Sequence, residues 1–287
     1  MTEQTGKPDE GLARLARFAF EWSGTLCQAE HGCESYHRMW SAVRLIEAGG
    51  ALPAGEAFMT ARLPEFARNG SVRILLSGTA DTGLLALMHR AALANGIGAS
   101  FTVIDRCQTP LEQCRLYGLA HDLEVVTIRQ TPDQIAASDH DLVVAHSFLS
   151  FIPPPARAGV LAGWARALRK GGGVLLSQRL VAEGDAYARK RPVSQLASRR
   201  AALSAALERN NPLPAAPEKI LDAAEAMWTN AMGGNGISQT ELAALAEGAG
   251  LELQSVTLDT GQDSVSPFAL KEQAVKRARA EIVLVKA

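Results

Sequence analysis

An α/β fold built on a doubly wound, largely parallel sheet is what this sequence predicts, and three observations predict it. Short apolar runs rich in β-branched residues alternate with helical patterns over about 110 residues in the middle of the chain, the rhythm of parallel β-α-β units. The first of those runs leads into a glycine turn that opens a helix, Ser77-Gly78-Thr79-Ala80-Asp81-Thr82-Gly83. The second ends at an acidic residue, Asp105, 22 positions beyond Gly83.

Taken in order, the elements begin with a helical lead. Leu12, Leu15, Phe18 and Trp22 recur at spacings of three and four, and Tyr36, Trp40, Val43 and Ile46 form a second series before Gly49-Gly50. Residues 1–68 are therefore expected to form a helical cap, punctuated by Pro53 and Pro64, with the α/β domain over 69–287. Strands are expected at 72–76, 101–104, 123–128, 142–145 and 174–177. Helical segments fall between them at 84–95, 110–119, 133–137 and 156–168. Beyond Gln178 the alternation stops, and a stretch of about 181–235, rich in Ala, Arg and Leu, reads as a helical insertion broken by prolines at 211–217. A helix at 238–249 closed by Gly250, a strand at 251–258, a polar loop and a last strand at 281–285 complete the chain.

Composition narrows the function. With 29 basic and 30 acidic residues among 287 the net charge is −1, so no electrostatic footprint for nucleic acid or an anionic membrane is present. A hydrophobic fraction of 47% supports an ordinary buried core. The polar, acidic start and the lack of a long apolar stretch lead us to expect a cytoplasmic protein, and four cysteines make no disulfide framework.

The glycine turn reads G-x-A-x-x-G through Gly78, Ala80 and Gly83. A turn of this kind lets a ligand approach backbone amides and the positive end of a helix. Asp105 at the end of the second strand can accept both hydroxyls of a ribose. The plainer alternative is a tight turn, with Asp105 capping the helix that starts near Pro110. Nicotinamide enzymes and S-adenosylmethionine enzymes share this geometry, so the rest of the chain has to separate them.

The stretch DLVVAHSFLSFIPPPARAGVLAGWARALRKGGGVLLSQ, Asp141 to Gln178, resembles the fourth strand, helix and fifth strand of class I S-adenosylmethionine-dependent methyltransferases, with their Gly-Gly pair inside Gly171-Gly172-Gly173. ISQTELAALAEGAGLELQSVTL is similar to their closing helix, Ala-Gly turn and sixth strand, and EIVLVKA to the antiparallel seventh. The resemblance spans roughly residues 70–180 and 236–287. It implies a Rossmann-like, doubly wound, seven-stranded sheet, with the N-terminal helices and the insertion as additions. It also implies S-adenosylmethionine as cofactor, and Ser77, Gly78, Ala80 and Gly83 as residues lining it. Asp105 would hold the ribose with Arg106 beside it, and Gln130, Thr131 or Asp133 would stand on the adenine side. His146, Ser147 and Phe148 would face the sulfonium and the substrate. The chain departs from the family pattern at Ser77, where an acidic residue is usual, and at Ala80 and Thr82, where glycines are usual. A methyltransferase-shaped protein that binds or regulates without turnover is therefore the rival reading. Ile152-Pro153-Pro154-Pro155 lacks the acidic and aromatic members of the segment used by nucleic-acid amino-methyltransferases, in keeping with the neutral charge.

His146 is the candidate general base, ending a strand at the ligand-binding edge of the sheet; its alternative role is a loop hydrogen bond. Trp22, Tyr36, His37, Trp40 and Arg44 are candidate substrate contacts, because Tyr36, Trp40 and Arg44 share one helix face; the alternative is plain core packing. Cys27, His31, Cys33 and His37 hold four possible zinc ligands, but ligands normally come as two separated pairs, and no metal is expected. Cys107 and Cys114 are expected to pack. Arg189, Lys190, Arg191, Arg199, Arg200 and Arg209 of the insertion are expected on a solvated face, some of them able to attract an anionic substrate. In the resembled family a helical segment at that place forms part of the lid or of the dimer contact, so a homodimer is an expectation. The sequence thus points to a methyltransferase acting on a small-molecule metabolite, with no nucleic-acid or membrane partner. A nicotinamide-dependent oxidoreductase is disfavoured by the long helical lead, the triple glycine before the fifth strand and the lack of a Tyr-x-x-x-Lys pair.

Overall fold

The computed structural model describes residues 10–28, 31–46, 55–183, 193–209, 213–229, 235–259 and 279–287. Three helices lead the chain: α1 (Glu10–Leu26), α2 (Glu34–Ile46) and α3 (Glu56–Arg62). Then β1 (Ser71–Ser77), α4 (Gly83–Ala94), β2 (Gly98–Asp105), α5 (Gln108–Ala120) and β3 (Val125–Arg129) alternate as expected. β4 (His140–His146), α6 (Pro154–Ala167) and β5 (Leu168–Arg179) continue the alternation. The insertion contributes α7 (Leu196–Glu208) and α8 (Pro217–Thr229), and α9 (Gln239–Gly248), β6 (Leu251–Asp259) and β7 (Arg279–Lys286) close the fold.

All seven strands form one sheet in the order β3-β2-β1-β4-β5-β7-β6. β1 to β5 pair in parallel, and β7 enters antiparallel between β5 and β6. Period-two alternation sends Ile74, Leu76, Leu142 and Val144 into the core on the face covered by α3, α4 and α5. Leu75, Val143, Ala145 and Val174 go to the opposite face, under α6 and α9. The triple glycine, expected to precede the fifth strand, lies inside β5, and Gly173 has a packing reason: a Cβ there would stand 2.1 Å from the Phe66 ring.

Two features differ from expectation. Residues 133–137 do not form a helix; only a 3₁₀ turn at Pro132–Gln134 precedes an extended Ile135 that is buried in the core. The carbonyls a helix would have used are taken by Arg166 of α6, whose Nη2 donates to Asp133 (2.6 Å) and whose Nε donates to Ile135 (3.1 Å). The cap and the insertion, read as separate additions, share one core: Phe20 and Met39 pack with Leu203, Leu207, Ile220 and Trp228, so α1, α2, α7 and α8 make a single helical lobe. Among the described residues no helix is long and apolar enough to cross a membrane.

Candidate cofactor and substrate site

The strand order reverses between β1 and β4, where the connections leave toward opposite edges of the sheet. In open α/β sheets the crevice outside the carboxyl ends at such a point is where ligands bind. The glycine turn after β1, Asp105 after β2 and His146-Ser147-Phe148 after β4 all gather at that edge.

The turn is internally braced. Gly78 adopts φ +71°, and its amide donates to the Ile104 carbonyl at 2.9 Å. Asp105 accepts from the Thr79 amide through Oδ2 (3.0 Å) and from the Cys107 amide through Oδ1 (2.7 Å). Burial pushes the Asp105 carboxyl above the usual carboxylate range, opposed by the nearby His37 and by these two amides. Asp81, which sequence reasoning missed, is buried and accepts from the Gly83 amide at 2.7 Å, so it closes the start of α4. Its signal was an acidic residue two positions before a helix start.

Several predicted site residues stand elsewhere than expected. Ser77 is fully buried and its Oγ accepts from the Trp164 indole at 2.8 Å, so the side chain is turned into the core and away from the crevice. Phe148 lies on the glycine turn itself, since a Cβ at Gly78 would come within 2.3 Å of its ring. Arg106 is exposed. Thr131 opens the 3₁₀ turn, its amide donating to Gln134 Oε1 at 3.3 Å; the Gln130 amide donates to the Asp105 carbonyl at 3.0 Å, which draws this loop to the site; Asp133 is exposed on the turn.

His146 ends β4 as predicted, but its Nε2 stands 3.1 Å from Arg279 Nη1. A guanidinium only donates, so this nitrogen accepts and its lone pair is directed at Arg279 instead of a substrate proton. The same Nη1 donates to Ser147 Oγ (3.0 Å) and Ser177 Oγ (3.1 Å), fixing the ends of β4 and β5. Ser147 holds a left-handed φ of +52°, locked by its backbone N–H, which donates a hydrogen bond to the Ser177 carbonyl (2.7 Å). These partners place His146 in a hydrogen-bonded cluster with Arg279, Ser147 and Ser177 at the end of β4. Arg279 was not foreseen, because only the antiparallel pairing of β7 with β5 brings it there.

The helical lobe meets the same edge. Tyr36 packs edge-on against Phe151 of the loop after β4 (5.3 Å between centroids) and against Trp40 (6.1 Å). Tyr36 thus covers the loop that follows His146, with Trp40 packed against it. Trp22 is 51% exposed and stacks on Phe18, so it is no part of this contact. The Arg44 side chain lies outside the described residues, as do Arg189, Lys190 and Arg191. Arg199 is buried, and Arg200 is matched by Glu218, Asp222 and Glu225 across α7 and α8, so neither presents an anion-attracting face.

His37 does not face a substrate space. It is buried, and its Nδ1 is 2.8 Å from the Ala80 carbonyl. Beside it, Cys107 Sγ stands 3.6 Å from Cys33 Sγ and 3.5 Å from Cys27 Sγ. The linear pattern around residues 27–37 therefore contributes three members, Cys27, Cys33 and His37, while its His31 is left out and Cys107, read as a packing residue, joins. Hydrogen bonding with Cys27 and Cys33, then with His37, holds the Cys107 thiol far below the ordinary thiol range; its partner Cys27 is pushed up to about 11, chiefly by Cys107.

No protein-family model matches the chain, and no curated protein matches its sequence. Solved structures do. The mitomycin 7-O-methyltransferase superposes with a TM-score of 0.53 at 16% identity, covering 97% of this chain and 67% of its own. This chain has the class I S-adenosylmethionine-dependent methyltransferase fold. The 1,6-didemethyltoxoflavin-N1-methyltransferase of Burkholderia thailandensis, solved with 1,6-didemethyltoxoflavin and S-adenosylhomocysteine, gives 0.54 at 14% identity over 100% of this chain and 93% of its own. The 4+2 cyclase SpnF gives 0.53 at 13% identity over 81% of each chain. The methyltransferase fold thus includes a protein named for a different reaction, and the residues of the site have to carry the functional reading.

Proposed function

We propose that the chain binds S-adenosylmethionine in the crevice over β1, β2 and β4 and transfers its methyl group to a small-molecule acceptor admitted beneath the helical lobe. The observation that carries this reading is Asp105. Its carboxylate stands at the carboxyl end of β2, tied by the Thr79 amide to the glycine turn and the start of α4. Each of its oxygens accepts one amide and keeps lone-pair capacity for a ribose hydroxyl. The cofactor supplies an electrophilic methyl on a sulfonium, and the protein's part is positioning and exclusion of water. Tyr36, Trp40 and Phe151 supply an apolar cover, and Arg279 holds His146 and Ser147 at a fixed place on the rim.

Replacing Asp105 with Ala removes a charge-assisted pair of contacts of about 2 to 3 kcal/mol, so S-adenosylmethionine affinity should fall by well over tenfold. Circular dichroism must accompany the titration, because the same carboxylate braces two backbone amides. Unchanged affinity in a folded Asp105→Ala variant would place the site elsewhere.

A second reading, a fold member without methyl transfer, is favoured by two observations. The Phe148 ring rests on Gly78, and Ser77 has given its hydroxyl to Trp164 where the resembled family carries an acid. Bound cofactor without product for any acceptor would favour that reading.

A further inference from the structure

We propose that Cys27, Cys33, His37 and Cys107 hold a zinc ion in a closed, four-coordinate site that fixes the helical lobe to the cofactor edge. The four donors come from three separate places: the end of α1, the start of α2 and the turn after β2. Their ligand atoms nonetheless all lie within 4.8 Å of one another. Around a tetrahedral zinc, with Zn–S of about 2.3 Å and Zn–N of about 2.0 Å, neighbouring donors are separated by about 3.5–3.8 Å. The two sulfur separations, 3.6 and 3.5 Å, match that edge and are far too long for a disulfide.

The surroundings are those of a ligand set. A carbonyl can only accept, so His37 Nδ1 carries the proton it donates to Ala80 at 2.8 Å. That leaves Nε2 as the nitrogen whose lone pair is turned to Cys107 and can pass to a metal, with the ring oriented by a backbone carbonyl in the way metal-bound imidazoles usually are. Thr109 Oγ1, 3.1 Å from Cys27 Sγ, can donate to a thiolate. Cys33, His37 and Cys107 are buried, so four protein ligands would complete the sphere with no open position, the mark of a structural site. Three sulfurs and one imidazole, gathered within 4.8 Å, suit zinc above harder divalent ions. On binding, the three thiols each lose a proton to solvent, the imidazole stays neutral, and the site carries a net charge of about −1.

The position gives the ion a role. Cys107 follows Asp105 by two residues and donates its amide to that carboxylate, while His37 holds the carbonyl of Ala80 in the glycine turn. One ion would therefore tie α1 and α2 to both backbone segments of the cofactor crevice.

The test is the metal content of the full chain, purified without chelator, by elemental analysis, together with its spectrum after exchange into cobalt(II). We expect about one zinc per chain and, with cobalt, thiolate charge-transfer absorption plus the intense visible bands of a tetrahedral site. Cys33→Ser and Cys107→Ser should each lower zinc affinity by more than about tenfold, whereas Cys114→Ser and His31→Gln should leave it unchanged. Should the ligand variants fail to fold, the cobalt spectrum of the native chain decides alone. A native chain without zinc that gives no tetrahedral cobalt spectrum overturns the proposal. Thiol counting in denaturant then tells a free thiol cluster (four reactive cysteines) from a disulfide (two). Neither metal content nor cobalt spectrum involves S-adenosylmethionine, so their failure leaves the proposed function standing.

Discussion

At Gly78 two demands meet on one residue. Its φ of +71° disfavours any side chain, and the Phe148 ring occupies the place a Cβ would take. We expect Gly78→Ala to cost about 1–3 kcal/mol for backbone strain alone, read from the denaturant midpoint. Adding Phe148→Ala should recover the steric part and leave the strain, so the two substitutions should couple. Strict additivity would contradict the contact. This scale was the least legible in the sequence. The glycine turn and Asp105 were placed where they stand, because strand ends and turns have local signatures. The partners of Ser77, His146 and His37 are Trp164, Arg279 and the Ala80 carbonyl, 43 to 133 positions away in sequence, and nothing local encodes them.

At the scale of elements, apolar periodicity located the seven strands and every long helix of the α/β domain, since their apolar residues recur at the period of a strand or a helix, even in β3, where Val126 and Ile128 are exposed. It failed at 133–137, where the winning interaction is Arg166 reaching from another element. β4 carries a prediction of its own at its opposite end. His140 sits between Ser138 Oγ (2.9 Å) and Thr102 Oγ1 (3.0 Å), with Arg73 of β1 and the carboxylates of Asp139 and Asp141 nearby. Burial, then Arg73, lowers its pKa below the usual histidine value, against the weaker opposing pull of the Ala167 carbonyl and the two aspartates. The unfolded chain therefore takes up a proton that the folded chain refuses. The contribution of His140 to stability is complete above the unfolded pKa of about 6.5 and declines as the pH falls toward its folded value. His140→Gln should flatten the pH dependence of the urea midpoint below about pH 6.5. Identical slopes in both proteins would rule out this origin.

At the scale of the whole molecule, the chain has a methyltransferase fold in which one helical lobe, drawn from two distant stretches of sequence, meets the carboxyl edge of the sheet. Sequence reasoning found both stretches and missed their union, because Phe20 and Met39 reveal nothing locally of Leu203 or Trp228. The same distance hid Cys107 from the cysteine pattern of residues 27–37. If the proposed cofactor binds there, Ala80 and Thr82 add bulk to the glycine turn and Ser77 removes a charge, each costing about 1 kcal/mol of affinity. The most direct measurement is calorimetric titration of the native chain with S-adenosylmethionine, its demethylated product and NAD. We predict saturable binding of the first two, weaker than in relatives with the full glycine set, and none of NAD. Absence of S-adenosylmethionine binding at millimolar concentration, with or without candidate acceptors, would contradict the account and leave the fold serving a function other than methyl transfer.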